Sequence, residues 1–182
     1  MDRDDLCFTP ASELARMIRS GELGALEATD AVLARIEDVE PAINSFITVC
    51  ADEARRDAKA ADTARAKGDA LGPLHGVPLG VKDLLNTKGV KTTFASLAFE
   101  NNVPADDCVA MARLRAAGAI LVGKTTSPEF GHKPMTEAPL FGKTLNPWGP
   151  HGVPSAQNTT NGQRRQRTAA HNARRTRIYP NT

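Results

Sequence analysis

The sequence contains no apolar run approaching the roughly 18–20 residues needed to cross a bilayer. Its start, Met1-Asp2-Arg3-Asp4-Asp5, is acidic and has no apolar signal core. These two absences predict a soluble, cytoplasmic chain with no membrane contact. Cysteine is scarce: Cys7, Cys50 and Cys108 are odd in number, widely spaced and form no Cys-x-x-Cys pair. That excludes a disulfide framework and a zinc site, and predicts buried or half-buried thiols in a reducing compartment. The four histidines, His75, His132, His151 and His171, are scattered, with no pair at metal-ligand spacing on a helix. No internal repeat is present.

What is there suits one ordinary domain. The chain has 182 residues, of which 41% are hydrophobic and 24% charged, close to globular averages. The net charge of +2 conceals a boundary. Arg164, Arg165, Arg167, Arg174, Arg175 and Arg177 crowd a final segment without lysine or acid. Taking those six from the 23 basic residues leaves 17 against 21 acids, a net charge of −4 before the tail. So abrupt a change calls for a separate account of residues 155–182.

Along the chain, Thr9 is the expected N-cap of a first helix, with Pro10 at its first position. Leu14, Met17 and Ile18 share one face of it, and Gly21 stops it. A second helix is expected from Ala25 to Val39, with Leu26, Thr29, Leu33 and Ile36 inward and Pro41 as its end. Ile43–Cys50 reads as a strand from its β-branched and aromatic content. Ala51–Lys67, rich in alanine and alternating charges, reads as a surface helix closed by Gly68. A short strand is expected over Val77–Asp83, followed by a loop around Asn86–Gly89. A helix capped by Asp106 or Asp107 then carries Ala110, Met111, Leu114 and Ala117 on one side and ends at Gly118. Ala119–Gly123 reads as a buried strand. Helices first, then strands alternating with helices, indicate an α/β domain. The proline-rich stretch 125–150 is either a substrate-facing loop or plain connection.

Lys82 is the residue that bears chemistry. It follows the apolar stretch Val77–Val81, and a lysine at the end of a buried strand is partly desolvated. Desolvation disfavours the ammonium, and a neutral amine can serve as a general base. The plainer alternative is a lysine whose stem packs along the strand while its head reaches water. Thr92, Thr93 and Ser96 could line the same site, although ordinary loop hydroxyls are the simpler reading.

The run Pro73-Leu74-His75-Gly76-Val77-Pro78-Leu79-Gly80-Val81-Lys82-Asp83 resembles the lysine motif of the amidase-signature family. Leu114 to Thr125, Pro128-Glu129-Phe130-Gly131 and Asn146-Pro147-Trp148 resemble that family's following blocks, in the right order. The resemblance covers about residues 10–150 and takes residues 1–154 as the N-terminal part of such a domain. Residues 125–131 look more like the general bacterial amidases than the family's aminoacyl-transfer-RNA amidotransferase members. The resemblance implies a large mixed sheet flanked by helices, here truncated, and hydrolysis of carboxamides by a Ser-Ser-Lys relay. Lys82 would deprotonate a bridging serine, which activates a nucleophilic serine, while backbone N–H groups hold the oxyanion. The substrate implied is a small-molecule amide, and no metal or organic cofactor is required.

The resemblance ends near Pro154. Family members continue with a Gly-Gly-Ser-Ser-Gly-Gly segment that bears the bridging serine. Here a lone Ser155 follows, without the glycines that let the backbone turn tightly. The expectation is an amidase-family chain inactive by itself, ended by a frameshift or miscalled gene end near codon 154. Residues 155–182 show no periodicity and few sizeable apolar side chains, which predicts a disordered tail. Two alternatives stand beside this: a fragment that pairs with a complementary chain, and an arginine-rich arm that binds nucleic acid. A truncated sheet would also leave an edge and an apolar face exposed, which predicts self-association and poor solubility.

Overall fold

The computed structural model describes residues 2–147. Helices α1 (Arg3–Phe8), α2 (Ala11–Ser20) and α3 (Ala25–Ile43) come first. Strand β1 (Phe46–Val49), helix α4 (Ala51–Lys67), strand β2 (Pro78–Lys82), helix α5 (Val109–Ala116) and strand β3 (Ile120–Thr125) follow. A short hairpin of β4 (Glu137–Ala138) and β5 (Gly142–Lys143) completes the described chain. The three longer strands form one mixed sheet in the order β1-β3-β2, with β1 antiparallel and β2 parallel to β3. This is the α/β class expected.

Strand alternation explains why the sheet is covered on both faces. Ile120 and Val122 of β3 enter one core with Leu14, Met17, Ile18, Leu33 and Ile36 from the N-terminal helices and Ala54 and Ala58 from α4. Leu121, between them, joins Val81, Cys50 and Met111 on the other face, beside α5. Helix α4, read as an alanine-rich surface helix, buries Ala54 and Ala58. The three cysteines are free, Cys50 buried and the other two half-buried.

Several boundaries differ from the sequence reading, each for a local reason. Thr9 does not cap α2. It closes α1, a helix that composition does not announce, and Pro10 takes the N-cap position of α2 without a side-chain bond. Helix α1 starts because the Asp2 carboxylate accepts from the N–H of Asp5 at 2.7 Å, a local cap that the acidic composition obscures. Pro41 does not end α3, which runs on to Ile43. Its missing N–H falls in the last turn, where the unpaired carbonyl four residues back belongs to exposed Glu37. Asn44 ends the helix instead, in the left-handed conformation with φ 55°. The Glu40 carboxylate then accepts from the Ser45 hydroxyl at 2.8 Å and the Phe46 N–H at 2.7 Å, turning the chain into β1. The strand expected from Ile43 is therefore shorter.

Helix α5 begins after Cys108, so neither Asp106 nor Asp107 is its N-cap. Asp107 pairs with Arg115 at 3.0 Å and accepts from the Lys88 N–H at 2.7 Å. Of the face read for this helix, only Met111 is buried. Among the described residues β2 pairs with β3 alone. Leu97, Phe99, Val109 and Phe130 are exposed. No helix among the described residues is long and apolar enough to cross a membrane.

Candidate active site

The turn 72–76 feeds β2 into place. The N–H of Leu74 donates to Ala117 O at 2.8 Å and that of Gly76 to Gly118 O at 2.9 Å. Gly76 adopts φ +76°, and a Cβ there would lie 2.8 Å from Ala25 Cβ and 2.9 Å from Ile18 Cγ2. Only glycine satisfies both the conformation and the close approach to the helices. His75 Nε2 lies 3.0 Å from Ala61 O, which ties the turn to α4.

Strand β2 then runs parallel to β3 and ends at Lys82, in register with Thr125. The carboxyl ends of parallel strands are where α/β sheets place their sites. Lys82 is half-buried, and burial pushes its ammonium below the ordinary lysine value. Among the described residues, none of the hydrogen bonds or ion pairs involves its Nζ. The polar residues around this end are themselves deeply buried: Asp83, Thr93, Thr126 and Ser127. Thr126 Oγ1 lies 2.7 Å from Thr144 Oγ1 and also donates to Ser45 O, so it is occupied by the scaffold. The Ser127 hydroxyl donates to Pro128 O at 2.9 Å.

Asp83 locks the strand end. Its N–H donates to Thr125 O at 3.0 Å and its carbonyl accepts from the Phe94 N–H at 3.1 Å. Its Oδ2 accepts from both the N–H and the hydroxyl of Thr93. Burial pushes this carboxyl above the usual range, against the lowering effect of the Thr93 bonds and of Lys124. Thr92, Thr93 and Ser96, read as loop hydroxyls that could line the site, are all buried, and none of them bonds to Lys82. Thr92 binds Lys124 and Thr93 binds Asp83.

Lys124 is the residue that sequence reading passes over. It lies inside β3 with no exposed surface. Its Nζ donates to Leu85 O at 2.5 Å, Thr87 Oγ1 at 2.8 Å and Thr92 Oγ1 at 2.9 Å. Burial pushes its pKa down to about 8, opposed by Asp83 and weaker neighbours. The signal that could have found it is the one that singles out Lys82: a lysine closing an apolar strand run, here Ile120-Leu121-Val122-Gly123. The two lysines differ in chemistry. All three N–H bonds of the Lys124 ammonium are committed, whereas the Lys82 amine is half-open and uncommitted.

Three phenylalanines cluster, two of them in the loop after Lys82. Phe94 meets Phe99 edge-on at 5.3 Å and stacks on Phe130 at 6.1 Å between ring centroids. Phe94, Ala95 and Phe130 all hold positive φ, at 53°, 57° and 48°. Left-handed non-glycine residues are uncommon, and such strain gathers at functional sites. The stretch 125–131 is thus packed against this loop, with the Phe130 N–H donating to Phe94 O at 2.9 Å. Among the described residues, no group of three or more His, Cys, Asp or Glu is placed to hold a metal ion. Trp148, Ser155 and the arginine segment lie outside the described residues.

Residues 27–156 match the Amidase family. Over 143 residues, 79% of this chain, the sequence is 48% identical to a glutamyl-tRNA(Gln) amidotransferase subunit of Roseiflexus sp. (strain RS-1). It is 48% identical over 142 residues, 78% of this chain, to the corresponding protein of Geotalea daltonii. The chain spans 29% of the length of each of these relatives. Among solved structures, peptide amidase from Stenotrophomonas maltophilia is 33% identical with a TM-score of 0.71, over 78% of this chain and 30% of that one. Fatty acid amide hydrolase superposes with a TM-score of 0.76 at 26% identity, over 80% of this chain and 26% of that one. The curated relatives are thus amidotransferase subunits, while the solved structures include amidases. With the lysine strand, the loop that follows it and the ordered blocks now in one frame, the chain belongs to the amidase-signature family.

Proposed function

We propose that this chain carries the base of an amide-cleaving site, with Lys82 as the proton acceptor, and that it does not turn over amides by itself. The observation that supports the reading is the contrast between the two strand-end lysines. Lys82 is half-buried, lowered in pKa by desolvation and free of hydrogen bonds among the described residues. Such an amine can take a proton from a hydroxyl at a modest energetic penalty. In that reaction a serine oxygen attacks the amide carbon, the C–N bond breaks, the amine leaves with a proton, and water releases the carboxylate. The chain spans 29% of the length of the relatives it matches, which supports the second half of the proposal. A cytoplasmic location and a small-molecule amide substrate go with this reading.

A second reading is favoured by one observation: β2 pairs with β3 alone among the described residues, and Leu97, Phe99 and Phe130 are exposed. Such a surface fits a complementary chain that extends the sheet and brings the serines. Relatives that are themselves subunits of an amidotransferase are consistent with work in an assembly.

The test is turnover of a simple aryl amide by the chain alone, and by the chain mixed with the complementary C-terminal part of a peptide amidase. We expect none alone, and turnover in the mixture that disappears in Lys82→Ala. Undiminished turnover in Lys82→Ala would remove the lysine from the mechanism. Turnover by the chain alone would overturn the second half of the proposal.

A further inference from the structure

We infer that Lys124 is a positioning residue for Lys82: its buried ammonium gathers Leu85 O, Thr87 Oγ1 and Thr92 Oγ1 and so fixes the loop that leaves the Lys82 strand. The inference rests on the reading of Lys82 as the base. After Lys82 the chain runs through a long loop to α5, interrupted by a single 3-10 turn at Leu97–Phe99. Nothing in the local sequence sets that path, since this stretch has neither helical nor strand periodicity. An organiser from elsewhere is needed, and Lys124 on the neighbouring strand is placed to be one.

The connection to Lys82 takes two hydrogen bonds. Lys124 Nζ donates to Leu85 O, and the Leu85 N–H donates to Lys82 O at 3.0 Å. The far end of the loop closes on the same point. Thr92 meets Lys124, Thr93 meets Asp83, and the Phe94 N–H returns to Asp83 O. Residues 83–94 are thus pinned at both ends and in the middle, and Lys82 sits at the root of the ring. An ammonium has three N–H bonds, and three acceptors are present, so the group is satisfied although no water reaches it. Asp83, Asp107, Cys50 and Cys108 are the titratable groups that face it, and each favours its charged form.

The role is distinct from simple stapling. On this inference the loop pinned at the strand end contributes to the burial that lowers the proton affinity of Lys82. Loosening the loop rehydrates the amine and returns it toward ordinary lysine behaviour. A staple that served stability alone would leave the proton affinity of Lys82 unmoved.

The experiment is competitive acetylation of the native 182-residue chain across a pH series, with Lys82 read by peptide mass spectrometry. Lys124→Met, Thr92→Val and Thr92→Ser are compared with the unaltered protein, each checked for native circular dichroism. We expect Lys82 in the unaltered chain to become reactive at lower pH than an ordinary lysine. Lys124→Met and Thr92→Val should lower its labelling at fixed pH by about threefold or more, since a full pKa unit is tenfold. Thr92→Ser, which keeps the hydroxyl, should restore it. If Lys124→Met does not fold, Thr92→Val carries the test, because two of the three acceptors remain. An unchanged, depressed Lys82 profile in the folded variants overturns the positioning role and leaves the base assignment standing. An ordinary profile in the unaltered chain overturns both.

Discussion

Replacing Gly76 by alanine should destabilise the fold far more than the same change at Gly68, although the two residues have nearly the same backbone. Gly76 holds φ +76° and Gly68 φ +78°. Placing alanine in the left-handed region costs about 1 kcal/mol at either site. The sites differ in space. Around Gly68 nothing lies within 4 Å of an added Cβ. At Gly76 the new atom would sit 2.8 Å from Ala25 Cβ and 2.9 Å from Ile18 Cγ2. Ala25 and Ile18 are wholly buried, so neither can swing into solvent. Overpacking of that kind costs about 1–3 kcal/mol. Gly76→Ala should therefore lose about 2–4 kcal/mol and Gly68→Ala about 1 kcal/mol. Urea unfolding followed by far-ultraviolet circular dichroism measures the difference as a shift in midpoint at constant m. Equal losses at the two sites would refute the reasoning, because they would mean that α2 and α3 yield freely to the turn that delivers β2.

Two further outcomes are expected at the buried charges. The unfolded chain holds the Lys124 proton to about pH 10.5, the folded chain only to about 8. The unfolded state therefore binds more protons in that window, and the folded state should gain stability as pH rises through it. The gain should be absent in Lys124→Met, and urea midpoints across the window would show a flat profile if the depressed value were wrong. Asp83→Ala strips the Thr93 N–H and hydroxyl of their common acceptor and should cost about 2–4 kcal/mol. Asp83→Asn keeps an acceptor oxygen for both and should cost less. Thermal melts in which asparagine is as damaging as alanine would show that the charge, not the acceptor, is what Thr93 requires.

How much is legible in the sequence varies by element. Helix α4 can be read to the residue because its signals are local: alanine, alternating charge and a terminal glycine. The buried face of α2 is legible for the same reason. Helix α3 is misjudged at Pro41, since whether a proline ends a helix depends on what its last turn has left to lose. Helix α1 escapes notice because its stability comes from packing against α3, with Leu6 buried in the shared core, rather than from composition. At the site, Lys82 stands out as the terminus of an apolar run. Lys124 obeys the same rule and is overlooked, since nothing adjacent in sequence announces the acceptors that meet it.

The amino-acid sequence by itself determined the α/β class, the three longer strands to within a few residues and, through the resemblance of its ordered blocks, the family. The class and those strands follow from periodicity, turn residues and spacing, which act over a few residues at a time. Only the tertiary structure decided which of two strand-end lysines is free and which is bound. That difference depends on three acceptors drawn from positions 32 to 39 residues away in the chain. Hydrogen bonds over such separations exist only once the strands are paired and the loop between them has closed.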